Sequence, residues 1–377
     1  MSIRKFASTP LNLSFLGKSS LILILWLLFS NAAQAAFNLR IAINKSTSQI
    51  TIGSSTPATL RDNSGQVVGQ IHGGSAYQVV SRQNQVVVGN AQARQLWVEP
   101  QGEGFVWIGD RWYRGDVQLV AQGSRLSAIN HVDLEDYLYS VVGAEAIASW
   151  PLEALKAQAV AARSYALHER SQSRSSLYDL DTTTFTQVYK GLASEASSTH
   201  QAVQATTGEV IVYNRQAILA AFHSSSGGHT ENAEDVWTSP LPYLRGVVDY
   251  DRQAPVYQWS KSYTAKELSR LIGGVGTIQS CIPERTTPHG RIITMRIVGS
   301  GGTTRLSGAQ IRSALGLRSR LFTITPSGNG FIVQGRGFGH GVGMSQWGAQ
   351  SLASRGWDYR QILGHYYRNA ALSRMGS

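Results

Sequence analysis

Pro151-Leu152-Glu153-Ala154-Leu155-Lys156-Ala157-Gln158-Ala159-Val160-Ala161-Ala162-Arg163-Ser164-Tyr165-Ala166-Leu167 carries six alanines and no residue that breaks a helix after its first. Alanine has the highest helix propensity, and proline is tolerated at the first helical position, where its missing N–H has no partner to lose. Leu152, Leu155, Ala159, Ala162 and Ala166 fall on one face, and their small size lets another element approach closely. The stretch predicts a buried central helix. Upstream, Leu134, Leu138 and Val141 recur at i, i+4 and i+7, which predicts a shorter helix that Gly143 is placed to end. Glu145 then falls in the connection between the two helices.

Working outward, residues from Phe37 to about Val120 read as short strands. Leu39–Ile43, Gln49–Ile52, Val67–Ile71, Tyr77–Val80, Gln85–Val88 and Gln95–Val98 are separated by turn residues such as Asp62-Asn63-Ser64-Gly65. Trp97, Trp107 and Trp112 belong to the sheet faces or core on this reading. Toward the C-terminus, 209–212, 217–222, 292–298, 321–325 and 331–334 read as strands, and 264–272, 307–315, 345–355 and 359–367 as helices. Without a strict βαβ rhythm the fold class is α+β: mixed sheets around a buried Ala-rich helix, preceded by a β-rich lobe. The expected organisation is a leader over 1–35, a β-rich lobe over 36–125 and a main domain over 126–375.

The leader is read from Arg4, Lys5 and Lys18, the apolar run Leu21–Phe29, and the small-x-small site Ala33-Gln34-Ala35. Together these resemble a cleavable secretory signal, and the run is far shorter than the roughly 20 residues a spanning helix needs. Export is expected, with a mature start near Ala36, a location in the periplasm or cell wall, and membrane contact only in transit. Cleavage would lower the formal charge from +11 to +8. A basic surface speeds encounter with polyanions. In an exported protein, cell-wall glycan with its lactyl and peptide carboxylates fits better than nucleic acid. Cys281 is the only cysteine, which excludes an intramolecular disulfide, and its surroundings suggest a packed, unreactive thiol.

The candidate acid is Glu145, beside Ser149-Trp150-Pro151. A carboxyl among apolar and aromatic neighbours is partly desolvated, which raises its pKa and suits it to protonate a glycosidic oxygen. A solvated or helix-capping glutamate is the bland alternative. Glu135 and Asp136 are the nearest carboxylates, but the front of a helix gives them a dipole and capping role.

The blocks Val132–Leu138, Val141–Glu145, Ser149–Ala166, Thr186–Gly191, Ala221–Thr230, Gly335–Ala349 and His365–Tyr367 closely resemble the SpoIID/LytB family, in its order and over most of the chain. The resemblance implies a lytic transglycosylase acting on glycan strands stripped of stem peptides, with Glu145 as the catalytic glutamate. It also implies a second reading, since the family includes enhancers of a wall amidase. Some members hold zinc with histidines and cysteines near the His223–His229 segment. Here His223 and His229 stand without a cysteine, and even with His340 the set falls short of four ligands. No metal and no cofactor are expected.

The remaining candidates are substrate-binding. Lys156 and Arg163, a heptad apart on one face, could reach glycan carboxylates, whereas Gln158 falls elsewhere on the wheel and could join a core network. Gln187 and Tyr189 offer an amide and a phenol to sugar hydroxyls. His223 and Ser225 belong to the histidine segment, and His340 and Gln346 to the glycine run Gly335, Gly337, Gly339, Gly341, Gly343. That run fits neither phosphate-loop spacing. It could floor a groove under a sugar chain, or cross tightly under the Ala-rich helix.

Overall fold

The computed structural model describes residues 37–182, 187–237 and 239–376. The expected leader lies outside them, as does Thr186 of the fourth block. Among the described residues no helix is long and apolar enough to cross a membrane.

Alternating burial drives the N-terminal strands into two antiparallel sheets. In the larger, Asn38–Thr47 pairs with Arg125–Asp133, followed in order by Asp116–Gln122, Gln95–Pro100, Ala58–Asp62 and Val67–Ile71. Leu180–Asp181 adds to Asn38–Thr47 in parallel, from beyond the helices, so this sheet ties the early strands to the helical region. Residues 38–377 make one unit by their contacts. Trp107 meets Trp112 edge-to-face at 5.3 Å, and Trp97 packs on His131 at 4.3 Å, all on sheet faces.

The chain leaves Asp133 directly into helix α1 (Leu134–Glu145), and the Asp133 side chain accepts the Glu135 N–H to cap it. Gly143 does not end this helix, which runs on to Glu145. A β-carbon at Gly143 would lie 1.8 Å from the Ser194 carbonyl oxygen, so the glycine is there to admit a neighbouring segment. Helix α2 (Leu152–Gln172) begins one residue after Pro151. Its burial is not confined to one stripe: Ala157, Val160 and Ala161 are as enclosed as Leu155, Ala159 and Ala162. Helices α1, α3 (Ser197–Ala205), α7 (Gln346–Ser354) and α8 (Tyr359–Tyr366) and the strand Glu209–Tyr213 all pack on it. A helix buried all round must be small-sided to let so many elements in.

The strand expected over 217–222 is broken. Ala220 and Ala221 donate to carbonyls only two residues back, at 2.8 Å each, and leave just the short pieces Gln216–Ala217 and Phe222–His223. After the one-turn helix α4 (Ala233–Val236), a second core forms from Leu268, Ile278, Met295, Ile297, Ile311, Phe331 and Val333. It lies between two three-stranded sheets and the helices α5 (Ala265–Ile272) and α6 (Gly308–Leu315), each opened by a reciprocal capping box, Thr264/Glu267 and Ser307/Gln310. Cys281 is buried in this core, which pushes its thiol up to about 11 and keeps it a poor nucleophile. The architecture is α+β.

Candidate active site

Glu145 is the last residue of α1, at the end where the helix dipole is negative. Its Oε1 accepts the Val188 N–H at 2.8 Å, and the Gln346 amide lies close enough to stabilise its charged form. Burial raises its pKa above the ordinary glutamate value, against the opposing pull of the Val188 N–H, Gln346 and the Lys190 charge. The phenols of Tyr137 and Tyr165 lie close enough to feel its charge. Trp150 and Trp347, from the segments on either side, meet edge-to-face at 4.9 Å, and Tyr165 packs near Phe222. Burial shifts the carboxyl toward its protonated form, while the backbone donor and the amide hold it in a fixed direction. That is what proton delivery requires.

Gln346 opens α7, whose Ser345 cap accepts the Gly348 N–H. Its Nε2 also donates to Gln158 Oε1 at 3.3 Å, so Gln158 is a buried support for the residue that touches Glu145. These two are the sequence candidates that the fold brings to the acid.

The other candidates are engaged elsewhere. Arg163 is fully enclosed: Nε and Nη2 grip Glu135 at 2.8 and 2.5 Å, and Nη1 donates to the Glu209 carbonyl. It cannot meet a glycan, because the face it shares with Lys156 is covered at that level by the strand Glu209–Tyr213. Lys156 pairs with Glu153 at 2.7 Å and lies over the Tyr359 ring. Gln187 is buried, accepting the Tyr137 hydroxyl and donating to the Ala162 carbonyl, and Tyr189 is buried with its hydroxyl on Asn130 Oδ1. The segment 187–190 alternates in and out. Gln187 and Tyr189 anchor it from inside, while Val188 and the exposed Lys190 are the residues that face Glu145. Lys190, Tyr165 and the Val188 N–H were missed by the sequence reading. The same period-2 pattern that marks the strands could have pointed to Lys190.

The histidine segment is a structural junction. His223 is buried with Nδ1 on the Val342 carbonyl, and burial holds it neutral, well below the usual imidazole range. His340 donates from Nε2 to the Phe222 carbonyl and accepts the Val342 N–H at Nδ1; burial pushes it down to about 4. Ser225 is buried and donates to Asp251. His229 stacks on His289 at 3.5 Å. Among the described residues no three His, Cys, Asp or Glu side chains gather as metal ligands. Of the glycine run, Gly337, Gly339 and Gly343 pack against 221–226 and Gly335 against Trp259, rather than under the Ala-rich helix. At Gly341, with φ +84°, a β-carbon would lie 2.2 Å from the Arg291 guanidinium.

No second carboxylate faces Glu145 from α1. Glu135 is committed to Arg163 and the Gly208 N–H. Asp136 stands nine residues from Glu145 along the helix, about 13.5 Å at 1.5 Å per residue, beyond the roughly 6.5–9.5 Å that inverting glycosidases use. A cleft of about 720 Å³ lined by Trp259, His289, Gln334 and Arg336 lies apart from this chemistry; hydrogen bonding to Glu145, not cleft size, locates the site.

Because Gly143 admits Ser194, whose hydroxyl meets that of Ser140, which in turn accepts the Lys190 N–H, Gly143→Ala would push away the segment that carries Val188. Overpacking of this kind costs about 1–3 kcal/mol. Urea unfolding should show that loss, with activity falling too. A stable, fully active variant would mean that the Ser194 contact does not position the site.

Comparisons with known proteins place the chain in a family. The SpoIID family, described as Stage II sporulation protein, matches over residues 122–213, which contain Glu145, α2 and Lys190. A domain of unknown function (DUF8618) matches 243–343. Stage II sporulation protein D of Bacillus subtilis is 37% identical over 266 residues, covering 65% of this chain and 76% of that protein. An uncharacterized protein of Brachyspira hyodysenteriae is 36% identical over 70% of this chain and 73% of its own length. The Amidase enhancer of Bacillus subtilis is 30% identical over 63% of this chain but only 40% of that protein. With more than two thirds of a sporulation protein D matched at this identity, the chain belongs to the SpoIID family.

Proposed function

We propose that this protein acts on the bacterial cell wall as a lytic transglycosylase, cleaving the bond between N-acetylmuramic acid and N-acetylglucosamine with Glu145 as its one catalytic carboxyl. The observation that carries this reading is the half-buried Glu145, its pKa raised by burial and its direction fixed by Val188 and Gln346. Glu145 gives its proton to the glycosidic oxygen as the C1–O bond breaks. The carboxylate left behind takes the proton of the muramic acid 6-hydroxyl, and that oxygen closes on C1. The product is a 1,6-anhydro ring, and Glu145 is protonated again. Neither water, a second carboxylate nor a cofactor enters this scheme.

Purified glycan strands digested with the protein should end in 1,6-anhydromuramic acid, one water lighter than a reducing end. Reducing ends that take up heavy oxygen from labelled water would sink the transglycosylase reading in favour of hydrolysis. A second reading is favoured by the likeness to the Amidase enhancer: a non-catalytic glycan-binding protein that stimulates a cell-wall amidase. It predicts that glycan stays intact while amidase turnover rises. Both readings place the protein outside the cytoplasm, in the periplasm or wall. Protein recovered from the envelope should start near Ala36 by mass spectrometry; an intact Met1 there would overturn the export assignment.

A further inference from the structure

Arginine 312, on α6, and Arg320, just before the strand Phe322–Ser327, open into one cleft of about 490 Å³ walled by Trp237, Leu317 and His340. Both side chains are half-buried. Arg312 Nε donates to the Leu317 carbonyl and Arg320 Nη2 to the Val236 carbonyl, each at a long 3.3 Å. The remaining guanidinium N–H groups have no protein partner among the described residues, and no carboxylate there lies within ion-pair distance of either group. The nearby Glu231 is engaged through Oε1 alone, by Thr287 at 2.7 Å and by the buried Arg291 at 3.6 Å. Burial lowers the pKa of both arginines, and for Arg320 the neighbouring Arg312 lowers it further. Two like charges taken partly out of water with no carboxylate in contact oppose folding, and the more distant Glu231 offsets only part of this at Arg320. His340 adds no charge of its own to offset them, being neutral with both ring nitrogens on backbone groups. A fork of unfilled donors is suited to an oxyanion, which guanidinium groups bind with charge-assisted hydrogen bonds.

We propose that this cleft is a carboxylate-binding subsite for the glycan, with Arg312 and Arg320 as its specificity-determining residues. The identity of the ligand rests on the cell-wall reading above; the anion-binding character of the cleft does not. The apolar walls of Trp237 and Leu317 accommodate the body of a sugar or a stem-peptide residue. The subsite and the acid flank one junction. Phe222–His223 pairs in parallel with Met344–Ser345. On one side of it Gln346 reaches Glu145, and on the other the Phe222 carbonyl holds His340 in the cleft wall. A strand seated by its carboxylate would thus be presented to the acid across that junction. Two sources share this chemistry: the free lactyl carboxylate of a stripped strand, and the carboxylates of a stem peptide.

The test is calorimetric titration of the Glu145→Gln protein, which leaves the ligand uncut. One arm uses GlcNAc-MurNAc, with its lactyl carboxylate, and the other a disaccharide-tetrapeptide, with inorganic phosphate as a third probe. The Arg312→Gln/Arg320→Gln double change in that background should weaken the preferred disaccharide by at least about tenfold, as expected for losing hydrogen bonds to charged groups. It should melt at or above the temperature of its parent, because a repelling pair is gone. The arm that binds identifies the source. Equal binding with and without the arginines, no binding in either arm, tighter binding of phosphate, or a double variant that melts several degrees lower would each overturn the proposal. Arginine-dependent binding by a wild-type protein that never cuts glycan would keep this subsite and reject the catalytic reading instead.

Discussion

Glu145→Gln should reduce glycan cleavage by about 10²–10⁴-fold, the range that general acid–base assistance supplies, and leave glycan binding and the fold intact. The amide keeps the shape of the carboxyl and can still accept the Val188 N–H through its oxygen. What it loses is the proton that ionisation provides. The wild-type pH profile carries the same signature. Glu145 acts as an acid only while protonated, so kcat/KM should fall as pH rises through its raised pKa. Stability moves in the same direction. A carboxyl whose pKa is higher folded than unfolded favours the folded state at low pH, and that advantage declines as pH climbs from the ordinary glutamate value through the raised one. Glu145→Gln should remove this decline, so the variant should be the more stable of the two near neutrality. Retained cleavage in the variant would remove Glu145 from the chemistry. Unchanged amidase stimulation, with no cleavage by either protein, would decide for the enhancer reading.

Arg163→Ala should cost about 3–5 kcal/mol of stability, the range for breaking one partner out of a buried ion pair. The Arg163 side chain is 0% exposed and that of Glu135 22%, so removing the guanidinium leaves a carboxylate with little water to replace two hydrogen bonds. The Glu209 carbonyl loses its donor as well. Arg163→Lys restores charge but not the two-pronged geometry, and should recover only part of the loss. Urea unfolding measures both. If Arg163 instead bound glycan, the alanine variant would keep its stability and bind substrate weakly. That outcome would overturn the structural role assigned here.

Much of the fold was legible because its causes are local. The helices read over 264–272 and 307–315 form at Ala265–Ile272 and Gly308–Leu315, within a residue of those bounds. The alanine run announces α2 by propensity and side-chain size together. Glu145 stood out for a similar reason, in a short segment of helix end, proline and tryptophan. The errors share one origin. Lys156 and Arg163 are equivalent on a helical wheel, yet one pairs with Glu153 near the surface and the other is sealed under a strand more than forty residues away. Gln187 and Tyr189 have the chemistry of sugar ligands, but the alternation of their segment turns them inward and leaves Val188 and Lys190 facing the acid.

The sequence by itself determined the class of fold and the main helices and pointed to Glu145 as the candidate acid, because propensity and period act over a few residues. Only the tertiary structure decided what surrounds that acid. Val188 donates to Glu145 from 43 positions away, and Gln346 reaches Gln158 across 188. Those contacts depend on which faces are covered once the chain packs around α2. The covering sets the desolvation that raises the Glu145 pKa, and no residue type carries that information before the neighbours have met.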